Sequence, residues 1–146
     1  MDRIGLIAGN GKLPEMFIEQ CIRQDIEPVS VYLFDSVEES VKKHVNSAKY
    51  SIAQPGKIIS YFKKNNISRL VMLGKVEKRL IFENLILDKY GEKIMEIVPD
   101  NKDETLLFAI IGFIRLNGIK VLPQNYLMKK FIFETKCYTE KKPDFN

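Results

Sequence analysis

Tryptophan is absent, cysteine occurs twice and histidine once in the 146 residues. Each scarcity excludes something. With Cys21 and Cys137 as the only thiols, no Cys-x-x-Cys spacing and His44 alone as an imidazole, a zinc site has no ligand set. A Ser-His-Asp or Cys-His catalytic pair would have to use His44, which lies in a polar connecting stretch, and is not expected. No apolar run is long enough to span a bilayer, and the start lacks the basic-apolar-small pattern of a secretory signal, so a cytoplasmic location is expected. Acids are also scarce where phosphoryl chemistry would want them. Asp35 is the lone carboxylate at a strand end, and Asp100, Asp103 and Glu104 gather at a helix start, where capping and the helix dipole explain them. The residues thus offer a place to bind phosphates without an evident engine to cleave them.

What is present describes a domain with one core. The length suits a single fold, and 45% hydrophobic with 29% charged residues is the balance of an ordinary globular protein. The net charge of +4 is mild and comes largely from Lys63, Lys64 and the late lysines 129, 130, 136, 141 and 142. Such charges form a solvated face; they also favour an anionic nucleotide or an acidic membrane surface, while no nucleic-acid partner is expected.

The chain is organised around its opening, Arg-Ile-Gly-Leu-Ile-Ala-Gly-Asn-Gly-Lys-Leu-Pro at residues 3–14. Ile4, Leu6, Ile7 and Ala8 form an apolar run without polar alternation, the pattern of a strand covered on both faces. Gly9, Asn10 and Gly11 end it with residues that tolerate left-handed angles, and Pro14 presets a helix start. A helix over residues 14–24 follows, with Met16, Phe17, Ile18 and Cys21 on its inner side, Cys21 as a small buried hydrophobe. Strand, glycine turn and helix start together leave free amides and a positive dipole end that suit a phosphate.

The rest alternates in kind. A polar connection over 24–28 leads to a second strand over 29–34, then to a charged stretch over 37–46 read as weak helix or irregular chain. A third strand is expected over 50–53, a helix over 57–66 burying Ile58, Ile59 and Phe62, and a fourth strand over 69–73. Leu80, Ile81, Leu85 and Ile86 fit a short helix, and Ile94, Met95, Ile97 and Val98 another helix or an edge strand. Leu106, Leu107, Ile110, Ile111 and Ile114 recur at three- and four-residue steps in a helix over 103–117, opened by an Asn101/Glu104 capping box and closed by Asn117-Gly118. A fifth strand covers 119–122. Such alternation predicts an α/β fold, a Rossmann-like doubly wound, mostly parallel sheet with helices on both faces. Residues 1–134 form the domain, and residues 135–146, lysine-bearing and poor in apolar groups, read as a linker.

In a parallel sheet the loops after the strands share one edge, here 9–13, 35–36, 54–56, 74–76 and 123–125, and ligands bind there at the switch point. Lys12 and Lys75 offer cations to a phosphate at that edge. Gly9-Asn10-Gly11 with Asp35 after the second strand also imitates a nicotinamide-cofactor fingerprint, which makes a nucleotide-binding regulatory module the alternative. The imitation fails at the third glycine position, where Pro14 stands. An interaction module using the basic tail is a third reading.

Four segments carry a resemblance: Gly5 to Pro14, Gly56-Lys57-Ile58, Gly74-Lys75-Val76, and Lys102-Asp103-Glu104-Thr105-Leu106-Leu107 leading to Asn117-Gly118. In this order and spacing the chain resembles the N-terminal domain of the UDP-2,3-diacylglucosamine pyrophosphatases of the LpxI type. The resemblance implies a magnesium-dependent hydrolase that releases UMP and lipid X on the way to lipid A, with its substrate between a Rossmann-like first domain and a C-terminal domain that carries the catalytic aspartate. It implies peripheral work at the inner face of the inner membrane. For this chain it implies substrate contact alone, at Gly9, Asn10, Gly11, Lys12, Leu13 and Pro14, at Gly74, Lys75 and Val76, and at Val121. Lys75 stands where some relatives have asparagine, and Asn10 where glycine is common.

Overall fold

A computed structural model describes residues 2–76, 88–97 and 103–126. Five strands form one sheet in the order β3-β2-β1-β4-β5, and every ladder pairing is parallel. They are β1 (Asp2–Ala8), β2 (Ile26–Tyr32), β3 (Ser47–Lys49), β4 (Arg69–Leu73) and β5 (Lys120–Val121). Between them run α1 (Leu13–Arg23), α2 (Glu39–Lys42), α3 (Pro55–Lys64), α4 (Lys89–Ile97) and α5 (Asp103–Leu116). The chain moves one way across the sheet from β1 to β3 and the other way from β3 to β5. Right-handed crossovers therefore put α1 and α2 on one face and α3, α4 and α5 on the other. The packing agrees: α1 meets α2, α3 meets α4, and α4 meets α5. The expected doubly wound sheet is the one found, with the switch point between β1 and β4.

Central strands are buried on both faces, as their unbroken apolar sequences require. Ile4, Leu6, Ala8, Val29, Val31, Leu70 and Val71 are fully enclosed. On one side Phe17, Ile18 and Cys21 of α1 close the core; on the other Ile58, Ile59 and Phe62 of α3 with Ile110 and Ile114 of α5 do so. Pro14 is buried as well, while Met16 is only half-buried. Burial pushes the Cys21 thiol up to about 12, a small hydrophobe rather than a nucleophile.

Several boundaries differ from the expectation, each for a local reason. β2 begins at Ile26 rather than after a polar link, because Asp25 alone turns the chain, at φ 58. Pro28 is tolerated inside this strand. Residues of its parity, such as Ser30, which donates to the Asn46 carbonyl at 2.8 Å, face β3, and β3 starts only opposite Ser30. The third strand is Ser47–Lys49, not residues 50–53. Ser51 turns that stretch by accepting the Ala53 amide at 3.0 Å, so Ile52 and Ala53 reach the core from a turn. Only Glu39–Lys42 of the charged stretch is helical. α4 settles the helix-or-strand alternative for Ile94, which it buries. α5 ends as predicted: Ile119 donates to Ile114 and Gly118 to Arg115, with Gly118 at φ +86. The helix expected around Leu80 to Ile86, the Asn101 cap, Val98, Cys137 and the linker over 135–146 lie outside the described residues.

Candidate functional site

Parallel β1 and β4 are neighbours whose following loops would splay to opposite faces. Here they cross. Asn10 and Lys75 exchange backbone hydrogen bonds in both directions, at 3.0 and 2.8 Å, and the Gly9 amide donates to the Leu73 carbonyl at 2.8 Å. A methyl on Gly9 would lie 2.4 Å from the Lys75 carbonyl oxygen, and one on Gly74 would lie 2.7 to 2.8 Å from the Gly9 backbone. Glycine at these two places serves the crossing itself rather than a ligand. This corrects the expectation that the whole turn offers free amides: those of Gly9, Asn10 and Lys75 are occupied. Among the described residues the amides of Gly11, Lys12 and Leu13 have no acceptor, and they open the first turn of α1.

Gly11 is the residue of the turn that faces open space. It is exposed at φ +109, with nothing within 4 Å of where a β-carbon would sit. Asn10 is fixed by the neighbouring loop, its Oδ1 accepting from the Ser36 hydroxyl at 2.7 Å. Leu13, the first residue of α1, is 40% exposed, while Pro14 is buried.

The two lysines diverge. Lys12 lies 3.5 Å from Glu38 and 3.9 Å from Glu15, so carboxylates already answer its charge. Glu15 in turn accepts from Ser40 at 2.8 Å, which ties α2 over the start of α1. Lys75 is exposed and has no carboxylate partner among the described residues. It is the cation that remains available.

Beneath the crossing a cavity of about 150 Å³ is lined by Ile7, Met72, Leu73, Gly74, Val76, Leu107 and Gln124. Of the predicted contacts, Gly74 and Val76 line it. Val121 is half-buried on β5 and does not. Gln124 comes from the 123–125 loop expected at this edge and Leu107 from the inward face expected of α5, although neither was among the predicted contacts. The walls are largely hydrocarbon, so the cavity accepts an apolar group while the polar rim above it meets solvent.

Asp35 does not behave as a ribose-holding acid. β2 ends at Tyr32, three residues earlier, and the Asp35 carboxylate takes the Lys49 ammonium at 2.7 Å. That hydrogen bond, followed by the charge of Lys49, holds the exposed carboxyl below its usual range. The nicotinamide alternative loses its acid as well as its third glycine. Among the described residues no three His, Cys, Asp or Glu side chains gather in one place.

Comparison with known proteins gives one family. The model of the LpxI N-terminal domain matches residues 3–131. A search of the curated proteins found no match. A solved structure, the GalE-like L-threonine dehydrogenase from Cupriavidus necator in its holo form, is similar at 16% identity with a TM-score of 0.43, over 82% of this chain and 36% of that one. The chain thus spans little more than a third of the length of that structure. The matched residues include the opening turn, the Gly74 loop and α5, and the chain belongs to the LpxI N-terminal domain family, a family of the lipid A pathway.

Proposed function

We propose that this chain is the substrate-binding half of a magnesium-dependent hydrolase that cleaves the pyrophosphate of UDP-2,3-diacylglucosamine to UMP and lipid X. The catalytic groups and the magnesium ligands belong to a second, C-terminal domain. The reaction takes place at the inner face of the inner membrane, where the lipid-linked substrate resides. No helix among the described residues is long and apolar enough to cross a membrane.

One observation carries the proposal: the crossing of the β1 and β4 loops sets polar and apolar groups side by side at the switch point. The amides from Gly11 to Leu13 and the Lys75 ammonium, without partners among the described residues, suit a phosphate. The hydrocarbon walls of Ile7, Leu73, Val76 and Leu107 suit an acyl or sugar face. A ligand that is charged at one end and greasy at the other matches both.

The test is UMP release with magnesium. The chain alone is expected to give none, and adding the second domain is expected to restore it. Lys75→Glu in the restored enzyme raises KM more than it lowers kcat, because it repels the phosphates at the binding stage. Turnover by the chain alone, or an unchanged KM in the variant, contradicts the proposal.

A further inference from the structure

A second cavity among the described residues lies away from the switch point. It is a groove of about 840 Å³ running along the outer face of α3, inside the size range of small-molecule sites. Lys57, Ser60, Tyr61 and Lys64 recur at helical spacing and form one wall; Tyr50 and the start of α4 form the other. Its far end lies at the opposite sheet edge from the switch point, beside Asn65, whose carbonyl accepts from Arg3 at the start of β1 at 2.8 Å.

The chemistry of its lining is one-sided. Lys57 and Lys64 are exposed and have no carboxylate partner among the described residues, whereas Lys12, Lys42, Lys43 and Lys49 all have one. The only carboxylate in the lining, Asp88, is held by two backbone amides, those of Gly56 at 2.9 Å and Gly91 at 2.7 Å. The Lys89 ammonium sits 5.1 Å from the Tyr90 ring centre. Tyr50 and Tyr61 stand 5.4 Å apart, half-buried, and neither hydroxyl has a hydrogen-bond partner among the described residues. Ammonium groups and phenols without partners among the described residues, together with aromatic carbon in one groove, describe a receptor for an anion attached to a planar ring.

We propose that the α3 groove is a second ligand site, separate from the switch-point crevice, that binds organic phosphates bearing a planar ring, nucleoside monophosphates among them. Lys57 and Lys64 hold the phosphate, and Tyr50 and Tyr61 pack against the ring and donate hydroxyl hydrogen bonds. Nothing in this assignment depends on hydrolysis at the crevice.

The experiment is calorimetric titration of the chain with UMP, phenyl phosphate, uridine and inorganic phosphate. UMP and phenyl phosphate are expected to bind, each at least about tenfold tighter than uridine or phosphate alone, and the affinity falls with added salt. Lys57→Ala/Lys64→Ala weakens UMP at least about tenfold, and Ser60→Glu, an exposed change that sets a negative charge in the groove, does the same. Lys75→Glu, which disables the crevice, leaves groove binding unchanged. UMP binding that survives both groove variants in the Lys75→Glu background, that is lost in Lys75→Glu alone, or that is absent from the unmodified chain overturns the proposal. Equal binding of uridine and UMP overturns it too.

Discussion

Gly9 and Gly74 lie back to back where β1 and β4 end, close enough that a β-carbon on Gly74 would come within 2.7 Å of the Gly9 carbonyl carbon. Contact between two backbones, with Gly74 at φ +96, fixes how far apart the two loops can stand and so the mouth of the crevice. Gly9→Ala and Gly74→Ala are each expected to destabilise the fold by about 1–3 kcal/mol, with Gly74→Ala the worse because its backbone angle is also strained for alanine. The double variant should fall short of the sum, since either methyl already forces the loops apart. Denaturant midpoints measure all three.

Asp88 joins two helices that the sequence does not obviously connect. One oxygen accepts the Gly56 amide in the first turn of α3, and the other accepts the Gly91 amide in the first turn of α4. Asp88→Ala removes both and is expected to lower stability by about 1–2 kcal/mol, while Asp88→Asn keeps one acceptor and loses less. Gly56→Ala tests the same junction from the other side, because its methyl would lie 2.7 Å from the Tyr90 ring. Thermal unfolding of the three variants should rank Asp88→Asn as the mildest.

His44 gives the fold an acid limit. Its Nδ1 is buried without a hydrogen-bond partner among the described residues, and desolvation lowers its pKa from 6.5 against the opposing pull of Glu27. A folded pKa below the unfolded value means that the unfolded chain binds the proton first. The contribution is therefore present above pH 6.5 and is lost as the pH falls through the lower, folded value. His44→Gln should flatten the decline of the melting temperature on that acid side while leaving values above neutrality nearly parallel. An unchanged pH slope contradicts the assignment.

How much of this was legible depended on where the information sat. The unbroken apolar runs of β1 and β4 and the spacing of Ile58, Ile59 and Phe62 announced burial directly, because both follow from periodicity. The meeting of Gly9 with Gly74 was legible as an edge, from strand order alone, but not as a contact. Its consequence, that the Gly9 and Asn10 amides are occupied, needed the register of two strands distant in sequence. β3 was misplaced because an edge strand of Ser-Ala-Lys carries no apolar pattern, while the apolar Ile52 and Ala53 pack from a turn. The pairing of Lys12 with Glu38 was invisible for the same reason: α2 has only four residues, and Val41 is its one buried anchor.

The central claim is that the polar rim over the β1–β4 crossing holds the phosphorylated end of the substrate. Amide chemical-shift mapping of the isotope-labelled chain with UDP-2,3-diacylglucosamine tests it most directly. The Lys57→Ala/Lys64→Ala background keeps the α3 groove from contributing. The account predicts that the largest shifts fall on Gly11, Lys12, Leu13 and Lys75, with Val76 and Leu107 responding to the hydrocarbon. Shifts that spare the Gly11 and Lys75 loops while the ligand is bound would contradict it.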